Sequence, residues 1–290
     1  MLAEVLTQLV IVIAILVPVS IILFIGRERL AQTRTEWRSR LRTVAPVVAV
    51  LLVVLLINRV ARQTAPKLSR EVGIRLTWAF YEIEGEFILI FQSIQTAEMS
   101  AYFSSIYIYG YTFLLIFPII AYFTLSDTRI FRRLLTAYAL NYAIGLVLYI
   151  AVIAYGPRNV MPAELTERML YDTNPQYQFL TQEVNASTNV FPSLHTSLSA
   201  TVAAFAWQTR AAFPRWVPVA IVLAISVAIS TMYLGIHWGL DVTAGLVLAA
   251  GSVALSDQLV DRWSLEELAE MLGDRFPWLQ ERLPWLQEHD

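Results

Sequence analysis

Two histidines and an aspartate are the residues best suited to chemistry. The chain has three histidines, and two of them, His195 and His237, stand in apolar surroundings. His195 lies in Phe191-Pro192-Ser193-Leu194-His195-Thr196-Ser197, and His237 in Tyr233-Leu234-Gly235-Ile236-His237-Trp238-Gly239-Leu240-Asp241. Asp241 follows His237 by four residues, so on a helix both side chains share one face, about 6 Å apart along the axis. A carboxylate there can accept the Nδ1 proton, fix the tautomer and leave Nε2 as a nucleophile or base. The same pair can equally be a structural hydrogen bond, and two histidines with a carboxylate are also a plausible metal-ligand set. Ahead of His195, Pro192 suits the first turn of a helix, where its missing N–H costs nothing. Asn185, Ser187, Thr188 and Asn189 just upstream are cap-type residues. A helix N-terminus welcomes an anion, so a phosphate oxygen would be stabilised near His195.

The elements that must position these residues are membrane spans. Hydrophobic residues make up 57% of the 290 positions and charged residues only 15%, below the roughly 25% of soluble domains. There is no cysteine, which removes disulfides, thiolate metal sites and cysteine nucleophiles. A formal charge of -2 gives no footing for a nucleic-acid partner. Crossing the hydrocarbon takes about 20 apolar residues in a helix, because a helix satisfies its backbone polar groups internally. Seven stretches qualify, the second being marginal: residues 5–25, 44–58, 102–125, 134–155, 192–209, 216–234 and 237–255. The expected fold is therefore an all-α, polytopic transmembrane bundle of six or seven spans. The first run lacks a basic leader and a small-residue cleavage pattern, so it reads as an anchor rather than a signal peptide.

Charge sets the expected orientation. Residues 26–43 hold six arginines against two glutamates, residues 126–133 hold Arg129, Arg132 and Arg133, and the turn at 210–215 holds Arg210 and Arg215. With seven spans these fall on one side, which the positive-inside rule makes cytoplasmic. The N-terminus is then outside and the C-terminal tail inside. Residues 59–75 disagree, being basic yet outside. The gap between His195 and His237 is what two spans and a tight turn consume, so both return to the outer face. Residues 73–99 mix Trp78, Phe80, Tyr81, Phe87, Leu89 and Phe91 with Glu82, Glu84 and Glu86, the pattern of an amphipathic interfacial helix or helical hairpin. Tyr155 and Tyr233 read as interface anchors, and Arg168 as a loop surface charge. Beyond residue 256 an acidic tail ends in a tandem repeat, residues 276–282 and 283–289, whose Trp278 and Trp285 suit the headgroup layer or packing on the domain. Three regions follow: N-terminal spans with the amphipathic segment (1–100), a membrane core with the histidines (101–255) and the tail (256–290).

Pro192-Ser193-Leu194-His195 and the His237 to Asp241 pair resemble the second and third signature motifs of the type 2 phosphatidic acid phosphatase superfamily. The leucine form is closest to the branch of inositol phosphorylceramide synthase and the sphingomyelin synthases. The resemblance spans roughly residues 155–251. It implies that His237 attacks phosphorus to form a phosphohistidine, that Asp241 orients it, and that His195 protonates the leaving alkoxide before water or an alcohol takes the phosphoryl group. It implies a phospholipid or isoprenoid-phosphate substrate, a possible polyol acceptor, and no cofactor. The departures are specific. The first motif's lysine position holds Ala151, and the proline of its Arg-Pro is Asn159, leaving Arg158; the arginine that opens the third motif is replaced by Thr231 beside a retained Ser230. With two cations missing, Arg158 is the expected phosphate clamp, Ser193 is expected to set the loop or donate to phosphate, and a phosphodiester donor is favoured over a dianionic monoester. Arg158 also suits a snorkelling position at a span end.

The leading expectation is a lipid phosphatase or headgroup phosphotransferase. The alternatives are a proton-coupled carrier using the three residues as a relay, a metal site, and a non-catalytic lipid-binding member.

Overall fold

The computed structural model describes residues 2–161 and 189–262. Arg168, Asn185, Ser187, Thr188 and the tandem repeat, for which the sequence suggests roles, lie outside the described residues.

Helix α1 (Leu2–Ser20) ends in a π-helical turn, Ile21–Ile25. Gly26, at φ 76°, then reverses the chain in a conformation that side chains with a Cβ avoid. Helix α2 follows over Arg27–Val72. Strand β1 (Ile74–Arg75) and helices α3 (Thr77–Glu84) and α4 (Leu89–Ser93) form a short layer at one end. Helix α5 (Ala97–Ser105) runs through a second π-helical turn, Ile106–Gly110, into α6 (Tyr111–Phe123). Helix α7 (Arg129–Ala151) leads to β2 (Val152–Ile153), which pairs parallel with β1, and to the short helix α8 (Pro157–Val160). Helices α9 (Leu194–Gln208), α10 (Trp216–Tyr233) and α11 (Gly239–Arg262) complete the described chain.

The all-α membrane bundle expected from composition is the fold observed. Among the described residues six helical segments are long and apolar enough to cross a membrane: Leu6–Ile25, Arg27–Val72, Ala97–Phe123, Arg129–Ala151, Trp216–Tyr233 and Gly239–Val260. The seventh expected span, 192–209, is realised as α9, only 15 residues long. It is surrounded by α6, α7, α10 and α11, so protein rather than lipid covers most of it. Lipid-facing surface is supplied by exposed side chains such as Val10, Ile15, Leu52 and Leu56 on α1 and α2. Inside, Phe24, Phe113 and Phe117 pack with Trp216, the Phe117 and Trp216 ring centroids being 4.6 Å apart.

Several expected boundaries are corrected. Residues 44–58 do not form an isolated short span; they are the middle of the 46-residue α2. At 1.5 Å per residue this helix is roughly 69 Å long, about twice the hydrocarbon thickness. Its basic N-terminal part is bound across one end of the bundle. Arg29 donates Nη1 to Ala212 O at 2.7 Å, and the buried Arg40 donates Nη1 to Leu125 O at 2.6 Å and to Phe123 O at 3.0 Å. Pro46 removes one backbone donor just beyond this stretch, within the continuous helix. Residues 73–99 are not one helix: Gly85 at φ 54° separates α3 from α4, so of the two expected forms the segment takes the one with two helices. Trp78, Ile83, Phe87 and Ile90 are exposed there, keeping the apolar outer surface that the pattern required.

The basic segments 26–43, 126–133 and 210–215 gather at one end, joined by the Arg29 and Arg40 bonds. Arg129 adds an ion pair at 3.0 Å to Asp257 near the C-terminal end of α11. His195, at the start of α9, and His237, just before α11, lie at the other end.

Candidate active site

The loop carrying His237 is built by the end of α10 and the start of α11. Leu234 to Ile236 turn through Gly235 at φ 63°, and the Ile236 and His237 N–H groups both donate to Thr231 O, at 2.9 and 3.1 Å. Gly156 lies against this loop so closely that a Cβ would sit 2.3 Å from Ile236 O. His237 is not on the helix face expected from its spacing. Helix α11 begins at Gly239, and Asp241 bends back to accept the Trp238 N–H on Oδ2 at 2.9 Å. That is a capping-box arrangement, with a third-position carboxylate satisfying the cap residue's donor. The next two donors, Gly239 N and Leu240 N, go to Glu84 Oε2 and Oε1 at 2.9 and 2.5 Å. Two carboxylates thus satisfy the first turn of α11, where the helix dipole favours negative charge.

The capping role leaves Asp241 beside the histidine. His237 Nδ1 is 3.4 Å from Asp241 Oδ2. This is an ion-pair contact whose geometry falls short of a hydrogen bond, and among the described residues Nδ1 and Asp241 Oδ1 have no hydrogen-bond partner. His237 is 3% exposed and Asp241 fully buried. Glu84 is half-buried. Burial lifts its carboxyl above the ordinary carboxylate value, the two backbone donors pull it back down in part, and the neighbouring Asp241 charge adds to the rise.

His195 arrives from α9. Pro192 does not enter the helix as expected; it precedes the cap, after a cis Phe191–Pro192 bond. Ser193 is the N-cap, accepting Thr196 N at 3.4 Å on Oγ, with Thr196 Oγ1 at 3.0 Å. Ser193, expected to set the loop or donate to phosphate, is fully buried in this capping role, which is the first of the two. Asn189 fixes the approach by donating Nδ2 to Tyr149 O and Val152 O and accepting Ala154 N and Phe191 N on Oδ1. Helices α9 and α11 meet at Gly245, where a Cβ would lie 2.6 Å from Ser193 O, and Ser193 N donates to Asp241 O at 3.1 Å. Lower on α9, Ser197 donates to Asn141 of α7, which also donates to Thr201 Oγ1 at 3.2 Å. The His195 ring is held between Tyr107 and Tyr111, with centroid distances of 4.4 and 4.3 Å. Both tyrosines flank or belong to the π-helical turn of residues 106–110, a local distortion common at functional sites.

His195 and His237 line one cavity of about 390 Å³. Tyr107, Tyr111, Tyr142 and Tyr149 add ring surface, and Leu6, Leu9, Ile108 and Leu146 add aliphatic wall. Asp241 stands behind His237. Arg158 donates its backbone N–H and Nε to Gly235 O, at 3.3 and 3.4 Å, and so braces the His237 loop; it is absent from the described residues that line the cavity. Among the described residues no three His, Asp or Glu side chains form a group that could hold a metal ion. Tyr233, expected as an interface anchor, is fully buried and hydrogen bonds Ser100 through its hydroxyl at 3.0 Å.

A model of the PAP2 superfamily matches residues 83–255, more than half of the chain and the whole of the histidine-bearing core. The chain belongs to the PAP2 superfamily. Comparison with curated proteins and with solved structures returned no match. In this PAP2 core the motif position occupied by Thr231 is fully buried at the end of α10, its hydroxyl spent on Ala228 O. The position occupied by Ala151 is exposed at the end of α7. PAP2 membership supports a phosphatase-type enzyme acting on a lipid phosphate in a membrane. Sequence reasoning missed Tyr107, Tyr111 and Glu84. Glu84 sat in the run of three alternating glutamates, but nothing local marked the tyrosines.

Proposed function

We propose that this membrane protein moves the phosphate-bearing part of a lipid through a phosphohistidine on His237. In the first step Nε2 of His237 attacks phosphorus, the P–N bond forms as the P–O bond to the lipid alkoxide breaks, and His195 gives its proton to that alkoxide. In the second, water or an alcohol attacks phosphorus, His195 takes the nucleophile's proton and the P–N bond breaks. Asp241 holds the His237 ring and stabilises the positive charge it gains. The observation that carries this reading is the shared cavity of His195 and His237, with Asp241 buried behind the second.

The apolar and aromatic walls suit a phospholipid or isoprenoid phosphate. The absence of cations at the Ala151 and Thr231 positions favours a phosphodiester donor, with water or a polyol as the acceptor. Arg158 acts here by bracing the His237 loop. The gathering of arginines at the far end of the bundle supports a site on the extracytoplasmic face and a cytoplasmic C-terminus. Replacing His237 with Ala abolishes turnover; turnover that survives this change excludes the mechanism. Lipid mass spectrometry of membranes with and without the protein separates the two outcomes, a phosphatase raising dephosphorylated lipid and a transferase creating a new headgroup class.

A further inference from the structure

We infer that Arg62 of α2, outside the family-matched region, is the cation that holds the lipid phosphate in the histidine cavity. The inference rests on the reading of that cavity as a phosphate site. Arg62 lines it together with His195 and His237, and it is the one arginine or lysine among the described lining residues. No aspartate or glutamate is among them. Tyr142 of the α7 wall and His195 line the same cavity beside it. One turn earlier on the same face, Asn58 donates Nδ2 to Tyr142 O at 3.2 Å and to Val54 O at 3.1 Å, fixing α2 against α7 at this level.

A guanidinium that faces the cavity can give a phosphate two parallel N–H bonds from its planar fork. The remaining cavity wall tells what else the ligand carries. Leu6 and Leu9 of α1 and Leu146 of α7 offer aliphatic surface next to the charge. The ligand class is an amphiphile with its phosphate between Arg62 and the two histidines and the start of its chain along α1. Helices α1 and α2 then complete a site to which the described residues of the matched core bring no arginine or lysine.

The test uses the full chain in detergent micelles in a His237→Ala background, which removes turnover. The probes are radiolabelled dioleoyl phosphatidylglycerol, a phosphodiester, and, as the neutral lipid with the same chains, dioleoylglycerol, each measured by retention on immobilised protein. The parent retains phosphatidylglycerol in preference to dioleoylglycerol. Arg62→Gln lowers retention of phosphatidylglycerol about tenfold, the loss expected for hydrogen bonds to a charged group, and leaves dioleoylglycerol unchanged. Arg62→Lys, which keeps the charge and loses the fork, falls between the two. Absence of a preference in the parent, unchanged phosphatidylglycerol retention in Arg62→Gln, or an equal fall for both lipids overturns the assignment. If Arg62→Gln does not stay monodisperse, Arg62→Lys decides by the same criterion. Turnover surviving in the single His237→Ala variant would sink the phosphohistidine reading and leave this binding result standing, so the two failures are distinguishable.

Discussion

At the residue scale the two histidines are held in different ways, which suits different roles. His237 is fixed through its backbone, by the Thr231 carbonyl, and its ring has a buried carboxylate at 3.4 Å as its neighbour. His195 is fixed through its ring, between Tyr107 and Tyr111, with no carboxylate beside it among the described residues. A ring with a carboxylate partner gains positive charge cheaply and suits the nucleophile, while a ring clamped between aromatics is held in position to exchange a proton with the substrate oxygen. The proton from His195 matters only when the leaving oxygen is basic. His195→Ala therefore slows turnover of an alkyl phosphate ester by about 10²- to 10⁴-fold, the usual worth of a general acid. With a p-nitrophenyl ester, whose leaving group needs no proton, the loss shrinks to severalfold. Equal losses for both esters would take the acid role away from His195.

At the element scale the start of α11 is the part on which the site depends, because Glu84 and Asp241 together satisfy its first N–H groups. Glu84 binds its proton more tightly in the folded protein than the ordinary value of 4.5 allows. The folded state then holds more protons than the unfolded one between those two values. The contribution of Glu84 to stability is fully present below about 4.5 and is lost as pH rises through the raised value. In Glu84→Gln that pH dependence disappears. Thermal unfolding of both proteins across this range should give a stability difference that shifts against the wild type as pH rises; a difference independent of pH would mean that the Glu84 carboxyl is not perturbed. Span number and the separation of the arginine-rich turns were legible in sequence, since each depends on composition within one segment. The His237 to Asp241 pairing was legible too, although its geometry is a capping box and not a shared helix face. What could not be read was set by packing between distant segments. Residues 26–43 look like a charged loop because the bonds from Arg29 and Arg40 that keep them helical go to residues more than 80 positions away. Arg62 looked like a misplaced basic residue on the outer side, and only the packing of α2 on α7 brings it to the cavity.

At the scale of the whole molecule, charge and chemistry are sorted to opposite ends of the bundle. The arginine-rich turns and Asp257 occupy one end, and the histidine cavity, the α3 and α4 layer and the N-terminal part of α1 occupy the other. The absence of native cysteine makes this directly measurable. Single cysteines at Glu86 and at Asp127 should react with a membrane-impermeant maleimide from opposite sides of intact cells, Glu86 from outside and Asp127 only after permeabilisation. Labelling of both from one side would contradict the proposed orientation. The central claim is chemical, and it is met most directly by trapping the intermediate. Brief incubation of the purified protein with a ³²P-labelled lipid donor, followed by alkaline denaturation, should leave acid-labile, base-stable label on the peptide containing His237. The label should be absent from His237→Ala and persist in a variant that reacts but cannot be discharged. Turnover of the donor with no protein-bound label, or label that remains after His237→Ala, would contradict a phosphohistidine on His237.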